Sequence, residues 1–190
     1  MARYYRRRYT RTIVRAPKKK WCSNILDVNM QTEGAGVTQP VATLSSSFMT
    51  LAENKTEASA PTPIVIKTGN VKFQADIHYA KGASASISAE PVATLYIVYV
   101  PQGWLVNTAQ SASALIANHP EWIMAWKVLE SGFVSAGTSI DDSSRFTITS
   151  RLKRNLNSGD SVAALIIYDN LAVGVTGIIR GKCQFWTCAN

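Results

Sequence analysis

The chain has 190 residues, 46% of them apolar and 17% charged, which is one domain's worth with enough apolar surface for a core of its own. Its formal charge of +8 divides unevenly: residues 1–20 hold nine basic side chains and no acidic one, and the other 170 hold 11 basic and 12 acidic, a net of −1. A start this basic, interrupted only by Ile13-Val14, excludes a secretory signal; Asp169-Asn170 breaks the best apolar run and so excludes a membrane span; three cysteines are too few for a secreted disulfide framework.

Residues 1–20 lack an apolar face, so ordering them would cost about 1–2 kcal/mol of backbone entropy per residue with no burial to offset it. They read as a disordered arm, and residues 21–190 as one domain. From Trp21 onward the chain turns to short stretches of β-branched and aromatic residues separated by Gly, Pro, Ser, Asn and Asp, an all-β pattern. The first strand is expected over Trp21–Met30 and the second over Val41–Leu51. The third, Ile64–Tyr79, is expected to bend at Thr68-Gly69-Asn70; beyond the bend Val71, Phe73, Ala75, Ile77 and Tyr79 alternate with Lys72, Gln74, Asp76 and His78, as in a half-buried strand. The fourth, Val92–Val100, is apolar almost throughout and should be covered on both faces.

A short helix is expected within Asn107–Asn118, ended by Pro120. Glu121–Glu130 follows as a fifth strand with Trp122, Met124, Trp126 and Val128 on one side, although a helix also fits its composition. The sixth strand, Ser144–Arg154, sets Phe146, Ile148 and Leu152 against Arg145, Thr147, Thr149, Arg151 and Lys153. The turn Asn157-Ser158-Gly159-Asp160 leads into an apolar seventh, Ser161–Tyr168, and Thr176–Thr187 alternates as the eighth. Eight strands of this kind suit a two-sheet sandwich, and eight is the strand number of the viral jelly roll.

The arm carries the strongest chemical signal. Arg3, Arg6, Arg7, Arg8, Arg11, Arg15, Lys18, Lys19 and Lys20 can displace counterions from a phosphate backbone, and Tyr4, Tyr5 and Tyr9 lie among them as stacking surfaces for unpaired bases. The same composition fits a nuclear localisation signal or a solvated tail. In the body, Lys72, Arg145, Arg151, Lys153, Arg180 and Lys182 share the polar parity of strands three, six and eight. They form either a second nucleic-acid contact or an ordinary wet sheet face. Five tryptophans are too many for one core of this size, so Trp104, Trp122, Trp126 and Trp186 are expected to anchor contacts between copies.

Enzymatic chemistry has little to stand on. Two histidines, His78 and His119, lack a supporting motif; Cys183 and Cys188, five apart on a strand, should face opposite ways and not pair at a zinc; Asp141-Asp142 reads as a turn opening. Neither a metal nor a cofactor is expected. Asn54-Lys55-Thr56 matches a glycosylation sequon that should stay unmodified.

The opening Met1-Ala2-Arg3-Tyr4-Tyr5-Arg6-Arg7-Arg8-Tyr9, the change from basic arm to sandwich near Trp21, and the stretch from Thr149 to Asp160 resemble the capsid proteins of small circular single-stranded DNA viruses, circovirus-like ones in particular. The resemblance implies an eight-stranded viral jelly roll, sixty copies of which close a T=1 icosahedral shell. It implies an arm directed inward onto a circular single-stranded DNA genome, with the sheet of strands one, three, six and eight facing the interior. It also implies nuclear import receptors as partners of the arm, residence in the virion and the host nucleus, and a host attachment receptor bound by exterior loops, with no receptor residue assigned. The competing reading is a cellular single-stranded nucleic-acid-binding β-barrel, or a ribosomal-type protein with a basic tail.

Overall fold

The structure, a computed structural model, describes residues 20–34, 45–56, 64–81, 91–104, 106, 108–129, 143–169 and 171–189. The arm residues from Arg3 to Lys19 and the Asp141-Asp142 pair lie outside them, and Lys20 is described and exposed.

Among the described residues there are eight strands: β1 (Cys22–Glu33), β2 (Ser45–Glu53), β3 (Ile66–Lys81), β4 (Val92–Val100), β5 (Ile123–Leu129), β6 (Ser144–Leu156), β7 (Ser161–Asp169) and β8 (Val175–Ala189). One helix, α1 (Ala109–Asn118), precedes β5. The strands form two four-stranded antiparallel sheets, one in the order β1-β8-β3-β6 and the other β2-β7-β4-β5. The molecule is an all-β sandwich.

Side-chain parity explains the two layers. In β3, Phe73, Ala75, Ile77 and Tyr79 are buried against the second sheet while Lys72 and Gln74 are exposed. Phe73 stacks on Phe146 of β6 with ring centroids 6.0 Å apart, and Tyr79 meets Tyr168 of β7 edge-on across the core. The second sheet has no wet centre. Ala93, Leu95 and Ile97 of β4 join the inter-sheet core, whereas Val98 and Val100 join Ala163 and Leu165 of β7 in a second cluster beneath Ala112 and Leu115 of α1. That double cover is why β4 and β7 are apolar at nearly every position.

Helix α1 begins where the sequence provides a cap. Thr108 Oγ1 accepts from the Ser111 amide at 3.1 Å, and Ser111 Oγ accepts from the Thr108 amide at 3.2 Å. Pro120 follows the helix and opens a 3-10 turn, Pro120–Trp122.

Two expectations need correction. The fifth strand begins at Ile123, not Glu121, and its register against β4 shifts between Ile97 and Val98; Met124 is buried, while Trp126 is 62% exposed and Val128 is also exposed. A bulge on an edge strand divides residues that simple alternation would keep together. Leu152 of β6 has core parity but is 51% exposed. β6 is an edge strand of its sheet, tied to β5 by Ser150 Oγ–H donating to the Met124 carbonyl at 2.8 Å, and Leu152 lies two residues past that tie. The sequon residue Asn54 is fully buried, its amide donating to the Ile64 and Leu156 carbonyls at 2.7 and 2.8 Å. It is a structural tie between connections, and a glycan has no access to it.

Candidate nucleic-acid interface

The outer face of the β1-β8-β3-β6 sheet gathers all six basic body residues singled out from the sequence: Lys72, Arg145, Arg151, Lys153, Arg180 and Lys182 are exposed on it. Register places them in cross-sheet rows. Asn29, Arg180, Asp76 and Arg145 form one row; Asp27, Lys182, Gln74 and Thr147 the next; then Ile25, Gln184, Lys72 and Thr149; then Ser23, Trp186, Gly69 and Lys153. The last row lies at the end where β1 starts and the arm joins.

Charge is not uniform over these rows. Lys182 Nζ lies 2.7 Å from Asp27 Oδ1, and Arg145 Nε lies 3.0 Å from Asp76 Oδ1. The Asp76 hydrogen bond, and then its charge, hold the Arg145 guanidinium above its ordinary range. Both carboxylates belong to the half of the face away from the arm. In the arm-side half, Lys72, Arg151 and Lys153 make no ion pair among the described residues, and no Asp or Glu shares the rows of Lys72 and Lys153. Exposed ion pairs cancel locally and contribute little, so the field on this face is centred on the arm-side half.

One residue there escapes simple parity. Alternation carried back from Val71 would turn Lys67 inward. Asn70, however, has a positive φ of 51°, and the register of β3 shifts there against both neighbours. An asparagine adopts this left-handed conformation readily, and the extra residue reverses the facing of everything before it. Thr68 is therefore buried, and Lys67 lies in the outer row of Cys188 and Asn155. The bend expected at Thr68-Gly69-Asn70 was the signal that could have found it.

Of the four tryptophans expected to anchor contacts between copies, Trp104 and Trp122 pack on each other within one subunit at 5.3 Å between centroids, edge to face. His119 stacks on Trp122 at 3.8 Å and its Nδ1 lies 3.0 Å from Glu121 Oε1, which accepts; the Glu121 carboxyl is held below its ordinary range by its own backbone amide and then by His119. The Arg154 guanidinium lies over the Tyr99 ring and donates to the Glu121 carbonyl. Sequence reading missed this shelf, because its members come from the ends of β4 and β6 and from the α1–β5 connection. Trp126 lies on the exposed outer side of β5, and Trp186 is half-buried on the cationic face.

Beneath the shelf, Asp160 is buried and accepts three hydrogen bonds, from Tyr99 Oη at 2.7 Å, the Asn157 amide at 2.8 Å and the Gln102 amide at 3.0 Å. Burial, then the bond to Asp160, pushes the Tyr99 phenol up to about 12. This is architecture, fixing the β6–β7 turn to the end of β4. Cys183 is buried and its thiol is pushed up to about 12 by that burial, which makes it a core residue and a poor nucleophile. Among the described residues no group of three His, Cys, Asp or Glu could hold a metal ion, and no helix is long and apolar enough to cross a membrane. No protein-family model matches the sequence, and no curated protein matches it.

Proposed function

We propose that this chain is the capsid subunit of a small circular single-stranded DNA virus, a jelly roll that assembles into a T=1 shell of sixty copies and packages the genome through its basic arm. The strand orders β1-β8-β3-β6 and β2-β7-β4-β5 support the jelly-roll reading, since they are those of two interleaved four-strand Greek keys closed as a sandwich. The observation that carries the functional reading is the asymmetry of the two outer faces. One is covered at its β4–β7 centre by α1, while the other is cationic and has its carboxylate-free half beside the start of β1, where residues 1–20 add nine basic side chains. Arm and face then form one surface for phosphates, and the near-neutral remainder lets copies approach without strong repulsion. The same arm would carry the subunit into the nucleus before assembly.

Electron microscopy of the purified chain tests this directly. Uniform hollow particles are expected, and deletion of residues 2–20 is expected to leave shells that form but hold little nucleic acid. A soluble species of a few subunits that binds single-stranded DNA would refute the capsid reading and favour a cellular binding module.

A further inference from the structure

The arm-side half of the cationic face holds more than charge. Trp21, the residue after the arm, is 36% exposed, and Lys153 Nζ lies 5.2 Å from its ring centroid. On β8, the strand paired with β1, Trp186 is half-buried in the row of Ser23, Gly69 and Lys153. Gly69 separates Trp186 from Lys153 without a side chain. A Cβ there would lie 2.7 Å from Lys153 Cγ, so the glycine is what lets the lysine stem lie inward across β3. The result is two indoles on one sheet face, with the Lys153 ammonium reaching from β6 over the bare backbone of Gly69 to the Trp21 ring.

We infer that Trp21 and Trp186, with Lys153 over the Trp21 ring, form a stacking subsite for unpaired nucleotides on the sheet itself, distinct from the arm. This rests on the reading of the face as a nucleic-acid surface and assigns Trp186 to the genome instead of to a neighbouring subunit. Indole faces accept any base, and ammonium and guanidinium groups hold the flanking phosphates, so the occupant is a single strand read without sequence preference. Charge favours this occupant over a second copy. Lys72 and Lys153 have no carboxylate in their rows and Arg151 makes no ion pair among the described residues, whereas a second copy nets only −1 outside its arm and a single strand brings one negative charge per nucleotide. A duplex is disfavoured because its bases are already stacked.

The test compares the full chain with Trp21→Leu, Trp186→Leu, the double variant and Trp186→Phe, each titrated with an oligothymidine and with an abasic oligonucleotide of the same length and charge. Wild type should bind the thymidine strand about 5- to 150-fold more tightly than the abasic one for each base stacked. The double Leu variant should lose most of that preference while keeping its abasic affinity, and Trp186→Phe should restore part of it. Quenching of tryptophan emission by oligothymidine, lost in the double variant, is the spectroscopic signature. Equal wild-type affinity for both strands would overturn the subsite and leave the electrostatic function standing. Failure to bind either strand would overturn the function as well. If the double variant keeps the full thymidine preference but no longer assembles, Trp21 and Trp186 are protein contacts and the inference is wrong. Unchanged far-ultraviolet dichroism and abasic affinity establish that the variants remain folded.

Discussion

Replacing Lys72, Arg151 and Lys153 together by alanine tests whether the sheet face touches phosphates at all. All three are exposed and make no ion pair among the described residues, so their loss should shift stability by about 1 kcal/mol or less through strand preference, about the span of the intrinsic scale. For single strands each phosphate neutralised contributes about 0.7 to the slope of log affinity against log salt, so three contacts are worth about 2 in slope. Raising salt from about 0.1 to 0.3 M should then narrow the affinity gap between wild type and variant roughly tenfold. The control removes a cation that already has a partner: Lys182→Gln with Asp27→Asn takes out the 2.7 Å pair, leaves the net charge unchanged, and should keep the wild-type slope. Fluorescence anisotropy of a labelled oligothymidine, measured over a salt series with full-length protein, reads both slopes. A triple variant whose line runs parallel to wild type would refute phosphate contact by the face and assign the whole electrostatic role to the arm. A control that drops as steeply as the triple variant would refute the division of the face into free and cancelled halves.

Asp160→Ala removes the acceptor for Tyr99 and two backbone amides; at about 1.5–3 kcal/mol for a hydrogen bond to a charged group and with losses that do not add, about 3–5 kcal/mol should disappear from the urea unfolding free energy. A loss below about 1 kcal/mol would show that the β6–β7 turn is held by something else. Gly181→Ala should lower the melting temperature, because the new Cβ would lie 2.1 Å from the Gln74 carbonyl oxygen and 2.4 Å from Ala75 Cα, and overpacking of this kind costs about 1–3 kcal/mol; an unchanged melting temperature would contradict the close approach of β3 and β8. The Tyr99 phenol is raised from 10.0 to about 12, so folding favours its neutral form: that contribution is intact below pH 10 and is lost as pH rises towards 12. Denaturation midpoints of wild type and Tyr99→Phe from pH 9 to 12 should therefore converge, and lines that stay parallel would exclude Tyr99 from the alkaline loss.

Much of the sandwich was legible because strand facing is a local property. Residues two apart share a face whatever lies across from them, so the basic parity of Lys72, Arg145, Arg151, Lys153, Arg180 and Lys182 could be read without knowing the neighbours. The nearly continuous apolar run of β4 announced double cover for the same reason, and Pro120 announced the end of α1. Local parity failed where the backbone itself departs from period two. Asn70 reverses the facing of Lys67, and the bulge in β5 turns Trp126 and Val128 away from Met124.

The sequence by itself determined that a basic start joins a near-neutral all-β domain, and which side chains share a face within each strand. Tertiary structure decided which strands are neighbours and in what register, and with that the chemistry of the face. Lys182 is cancelled by Asp27, 155 positions away, and Arg145 by Asp76, 69 positions away, whereas Lys153 finds Trp21 instead of a carboxylate. Such pairs meet only when distant segments are laid side by side to within one residue, and a slip of one would turn each partner to the opposite face.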